Sequence, residues 1–161
     1  MGSLSNRVKK AVRRSAGTSF WRKFTVLSSD ITTSQQALSS AATGDLMVTH
    51  VIFQTDATGL AGSTNFLIGV SGETYGLNTP IEEAVSNLGA SQIRVAPHSG
   101  GNADTTNDTH ITVTAAVPFL LEAGDSLQYS GSSSAGTGAG ICAVLIRFER
   151  LVENADIQAV V

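Results

Sequence analysis

Between Thr109 and Leu151 the sequence repeats every two residues, and this constrains the fold more than any other feature. Ile111, Val113, Ala115 and Val117 alternate with His110, Thr112, Thr114 and Ala116, and Leu127 and Tyr129 alternate with Ser126, Gln128 and Ser130. A period of two puts alternate side chains on opposite faces of a strand, so each run predicts a strand with one buried face. Pro118 and Gly124-Asp125 punctuate the chain between the runs as turns do. Gly131 to Gly140 contains only Gly, Ser, Ala and Thr, which predicts a flexible hairpin loop. Ile141 to Ile146 is apolar on both faces and reads as a central strand. Phe148 continues the buried parity of Cys142, Val144 and Ile146, while Arg147 and Glu149 face water. Three strands joined by tight turns predict an antiparallel sheet.

Earlier segments carry the same signal. Strands are expected over 20–27, with Phe24 and Val26 on one side, near 36–39 as an edge, over 45–55 as an interior strand, and over 64–71 through Phe66, Ile68 and Val70. Ile93 and Val95 form a further short strand. One helix is predicted at 80–88: Thr79 is its N-cap, Pro80 takes the first helical position, Glu82 completes a capping box and Gly89 ends it. About eight strands with sandwich-like turn spacing predict an all-β chain: a jelly-roll-like antiparallel β-sandwich with one short helix and a basic N-terminal arm. The expected boundaries are an arm at 1–19, a sandwich at 20–151 and a C-terminal tail at 152–161. Val152, Ile157, Val160 and Val161 predict that the tail packs on its own domain or on a neighbour.

Charge is segregated along the chain. The net charge is -3, from 10 basic and 13 acidic residues. Seven of the bases (Arg7, Lys9, Lys10, Arg13, Arg14, Arg22, Lys23) precede the first acid, Asp30. Residues 1–24 therefore carry +7 and the remainder 3 minus 13, or -10. Such a split marks a basic arm on an acidic domain. Leu4, Val8, Ala11, Val12 and Ser15 share one helical stripe of that arm. So short a helix is marginal alone in water, and the arm is expected to fold on a partner. The expected partner-binding residues are Leu4, Arg7, Val8, Lys9, Lys10, Val12, Arg13, Arg14 and Trp21, with Trp21 anchoring the arm to the β-domain. No apolar h-region follows the bases, so a secretory signal is not expected. No apolar run reaches the roughly 18 residues of a membrane span, and no membrane partner is expected.

No constellation for catalysis emerges. Gly131 to Gly138 lacks the Lys of a phosphate-binding loop, and a β-run follows it rather than a helix. His98, Asn102, Asp104, Asp108 and His110 cluster, yet their spacing matches no metal loop, so a polar loop and no metal are expected. His50 reads as a core histidine and Cys142, the sole cysteine, as a buried inert thiol. Glu82 and Glu83 are adjacent and point apart, so they form no acid–base pair. The chain is expected to be non-enzymatic and to use no cofactor.

The element Pro118-Phe-Leu-Leu-Glu-Ala-Gly-Asp-Ser-Leu-Gln-Tyr129, the Gly/Ser loop and Ile141-Cys-Ala-Val-Leu-Ile-Arg-Phe148 resemble the closing strands of small β-sandwich or jelly-roll virion proteins of tailed bacteriophages. The resemblance covers about residues 45–151 and implies a virion structural protein, assembled in the host cytoplasm. It implies capsid decoration (cement) or another head or tail role, a terminal arm engaging neighbouring subunits, and a homo-oligomer, trimeric or hexameric. Its partners would be the major capsid or other virion proteins. A receptor- or glycan-binding fibre or tail domain is one alternative. A coat protein whose basic arm binds nucleic acid, which the chain resembles more distantly, is another.

Overall fold

The computed structural model describes residues 19–71, 81–96, 114–115 and 117–161. Among the described residues ten strands follow in order: β1 (Ser19–Leu27), β2 (Gln36–Ala37), β3 (Leu46–Thr55), β4 (Asn65–Val70), β5 (Ile81–Ala84), β6 (Ile93–Ala96), β7 (Thr114–Ala115), β8 (Phe119–Leu121), β9 (Leu127–Gly131) and β10 (Ile141–Arg150). They make two five-stranded sheets. The first runs β1-β10-β3-β6 with β8 also on β3, and the second runs β2-β9-β4-β5-β7. Every pairing is antiparallel. The partners are nested: β1 pairs with β10, β2 with β9 and β3 with β8. The chain thus folds back on itself as one long hairpin and rolls, so that β1 to β4 alternate between the sheets. That is jelly-roll connectivity, as expected.

The alternating pattern decides what is buried. Cys142, Val144, Ile146 and Phe148 of β10, Phe24 and Val26 of β1, and Val48, Val51 and Phe53 of β3 all point inward. Phe66, Ile68, Leu127 and Tyr129 line the facing sheet. Phe53 and Phe66 meet edge-on across the sandwich with centroids 5.5 Å apart, a favoured aromatic geometry. β10 and β3 are paired along both edges, so they are interior strands of the first sheet.

Several expectations change. In place of the helix predicted at 80–88, residues 81–84 form strand β5 and the 3₁₀ turn Val85–Leu88 follows it. A cap of the predicted kind contributes about 1 kcal/mol. β5 instead pairs with β4 on one side and β7 on the other, and buries Ile81 and Glu83 on the core side. Thr79 and Pro80 lie outside the described residues. Phe119–Leu121, between the expected turn residues Pro118 and Gly124-Asp125, forms a strand that pairs with Leu46–Val48. Of the strand expected over 111–117, β7 is the described part.

The loop Gly131 to Gly140 is not the free hairpin its composition predicts. Its amides bond outward: Gly131 to the Thr32 carbonyl at 2.7 Å, Gly136 to Ile31 at 2.7 Å and Thr137 to Ala61 at 2.8 Å. Glycine is needed here for close approach, because a Cβ at Gly136 would overlap the Ser28 carbonyl oxygen and one at Gly140 the Gly59 carbonyl oxygen.

The C-terminal segment packs on its own domain. Ser40 N–H donates to the Gln158 carbonyl, Thr43 N–H to Asp156 and Val160 N–H to Leu38, so residues 156–160 extend beside the 38–43 segment. Ala155 and Ile157 are buried in the core.

Candidate docking surfaces

Arg22 ties the C-terminal segment to β1. Its Nε donates to the Ile157 carbonyl at 2.8 Å, its Nη2 to Asp156 Oδ1 at 2.7 Å, and its guanidinium lies 4.9 Å from the Phe20 ring centroid. Asp156 titrates below the usual carboxylate range: burial raises its pKa, but the Ile157 amide, Arg22 and Gln158 outweigh that. Arg22 and Lys23, counted with the basic segment in the sequence, are therefore strand residues. The described chain begins at Ser19, opposite Glu149. Leu4, Arg7, Val8, Lys9, Lys10, Val12, Arg13 and Arg14 lie outside the described residues, as does the His98–His110 loop.

Trp21 is described. It sits on the outer face of the first sheet, 44% exposed, with its ring centroid 6.3 Å from that of His50. His50 is not a core histidine. The β3–β10 register slips between Arg147 and Phe148, so Thr49 and His50 both lie between inward-facing Val48 and Val51. This is a β-bulge, and it turns two consecutive side chains outward. His50 Nδ1 lies 3.1 Å from Thr49 Oγ1. Arg147 reaches Glu149 at 3.3 Å and donates to Ser19 Oγ at 3.1 Å.

Register fixes the rest of this outer face. Lys23, Leu145, Ile52 and Val95 form one row across four strands, and Thr25, Ala143, Gln54 and Ile93 the next. Leu27 and Ile141 close one end and Leu120 flanks Met47 at the other. Lys23, Arg147 and Glu149 are its charged members. The face therefore offers apolar contact area with little charge.

A second surface, which shares Leu120 with the outer face, forms where β1 begins and β10 ends. Asp45 lies between two turns: its Oδ1 accepts from Ala123 N–H and its carbonyl from Leu151 N–H, both at 3.0 Å. Asp125 accepts from Glu122 N–H at 3.0 Å, and its carbonyl accepts from Ala42 N–H at 2.7 Å. Leu120, Leu151 and Val152 are 45%, 43% and 45% exposed around them. Glu122 and Glu153 are exposed there as well. Arg150 is directed away, over the Phe20 ring at 4.2 Å and onto the Ala155 carbonyl at 2.6 Å.

Two charged residues that the sequence did not single out as a pair lie in the interior. Glu83 and Arg94 are buried at core-facing positions of opposite sheets, opposite Phe66 and Phe53 in their ladders. Only the period-two parity of β5 and β6 could have revealed them. Cys142 is fully buried, and desolvation pushes its thiol up to about 12. Asp56 is held below its ordinary range, chiefly by the Gly59 amide at 2.8 Å. Among the described residues no group of three or more His, Cys, Asp or Glu is placed to hold a metal ion. Among them no helix is long and apolar enough to cross a membrane.

No protein-family model matches the chain, and no curated protein matches it. Among solved structures it is similar to a chain of the acid-stable capsid of Helicobacter pylori bacteriophage KHP30, with TM-score 0.49 and 14% identity, over 86% of this chain and 91% of that one. It is also similar to a chain of the capsid of Ralstonia phage GP4, with TM-score 0.39 and 13% identity, over 83% of this chain and 85% of that one. Both structures are phage capsids.

Proposed function

We propose that this chain is a non-enzymatic virion structural protein, a capsid decoration (cement) or accessory head or tail protein that holds neighbouring subunits through residues 1–18. The observation that carries this reading is the outer face of the first sheet. Trp21, Leu27, Ile93, Leu120 and Ile141 are exposed on it, with Ile52, Leu145 and Val95 half-buried among them. Large exposed apolar side chains gathered on one face, interspersed with uncharged Thr25 and Gln54, suit a protein contact. Its size favours a lattice role. The three long strands β1, β3 and β10, at ~4.8 Å spacing and ~30 Å length, give roughly 430 Å², and the shorter β6 and β8 add about 100 Å², still below the ~800 Å² per partner of a standalone complex. The face suits one of several contacts in an assembly. Trp21, an aromatic of the kind that anchors interfaces, lies on it, whereas Ser132 to Gly140 carries no aromatic for stacking on a sugar.

The arm supplies the second contact. Its stripe Leu4, Val8, Ala11 and Val12 fits a protein groove, and its five bases steer the approach. The deletion that tests this must end at residue 18, because residues 19–24 belong to β1 and Phe24 is a core residue. Substitutions are sharper. Val8→Ser/Val12→Ser keeps every charge and is expected to reduce co-purification with particles strongly. Normal attachment of that variant, with steeply salt-dependent loss for Arg13→Ser/Arg14→Ser, would instead identify a phosphate backbone as the partner.

A further inference from the structure

We infer that the acidic end of the sandwich, formed by the 120–125 turn and the 151–154 turn, receives residues 1–18 of a second copy of this chain. The inference rests on the proposed adhesive role of the arm and names the surface it binds. The starting observation is apolar. Leu120, Leu151 and Val152 are large aliphatic side chains exposed together at one end, and Val152 lies over Gly44. Asp45, Glu122, Asp125 and Glu153 ring them, and none forms an ion pair among the described residues. Backbone hydrogen bonds fix Asp45 and Asp125 in place without neutralising them.

Residues 1–18 are complementary in both respects. Their apolar positions are Leu4, Val8, Ala11 and Val12, and their charges are Arg7, Lys9, Lys10, Arg13 and Arg14, giving +5 with no acid. An apolar centre with an acidic rim matches an apolar stripe with basic flanks, and such matching sets partner choice and orientation. A nucleic acid would be repelled by the same rim. The contact is heterologous, arm to end, so repetition closes a ring or extends a chain. That would account for the trimer or hexamer expected of the assembly.

The test uses the full chain in sedimentation at low salt. Wild type is expected to self-associate, and less so at high salt. Glu122→Lys/Glu153→Lys spoils the receiving end, and Arg13→Glu/Arg14→Glu spoils the arm; each is expected to raise the dissociation constant about tenfold or more. Mixed in equal amounts, the two variants should form a heterodimer, because one retains a good arm and the other a good end. Monomeric wild type overturns the inference, as does a mixture that stays monomeric or an end variant that associates normally. Particle attachment separates the two readings. If Arg13→Glu/Arg14→Glu falls off particles while the end variant self-associates like wild type, the arm still anchors the protein and only this receiving surface is wrong.

Discussion

Gly140→Ala should destabilise the fold far more than its sequence context predicts. A Cβ there would overlap the Gly59 carbonyl oxygen and lie 2.6 Å from the Gly59 carbonyl carbon, where ordinary contacts begin near 3.4 Å. Relief requires backbone to move. Gly59 is held by its own amide bond to Asp56 Oδ1 at 2.8 Å and has φ +73, so it has little room to retreat. Moving Gly140 instead disturbs the 2.7 Å bond from Ser28 N–H to its carbonyl. Overpacking costs about 1–3 kcal/mol and a lost hydrogen bond about 1, giving roughly 2–4 kcal/mol. Gly138 is the control: it has φ +80 but nothing within 4 Å of an added Cβ. Gly138→Ala pays only for the left-handed backbone, about 1–2 kcal/mol. At about 2–4 °C per kcal/mol for a chain of this size, Gly140→Ala should lower the melting temperature by about 9 °C and Gly138→Ala by about 4 °C. Thermal melts by circular dichroism measure both. Equal melting temperatures for the two variants would show that the loop yields freely and that the close approach does not hold the end together.

Other outcomes follow from named residues. Cys142 is fully buried with its thiol pushed up to about 12, so the native protein should resist alkylation at mildly alkaline pH and react once denatured; fast native labelling would refute its burial. Asp156 has a depressed pKa in the fold, so its contribution is present above its unfolded value near 3.8 and is lost as pH falls through the lower folded value. Asp156→Asn should melt below wild type at neutral pH, by under about 1 kcal/mol because the pair is partly exposed, and the gap should close in acid. A gap that widens on acidification would contradict the Arg22–Asp156 clamp.

The sequence alone sets the faces of the long strands. The parity of Cys142, Val144, Ile146 and Phe148 needs only a period of two, and the buried set of β10 follows it. It also sets the charge segregation, which is a property of order along the chain. The remaining features depend on long-range packing. Thr79, Pro80 and Glu82 carry a helix-start signature, yet pairing of residues 81–84 to strands on both sides and burial of Ile81 outweigh a local cap. Thr49 and His50 could not both be placed from alternation, because a bulge breaks the period they would obey. The Gly/Ser loop looked mobile because small residues permit motion, but they equally permit backbones to touch, and only the neighbours Ser28 and Gly59 show which applies. The acidic end is likewise invisible in sequence. Asp45, Glu122 and Glu153 are more than 100 positions apart at the extremes, and they meet because the jelly roll pairs the beginning of the chain with its end.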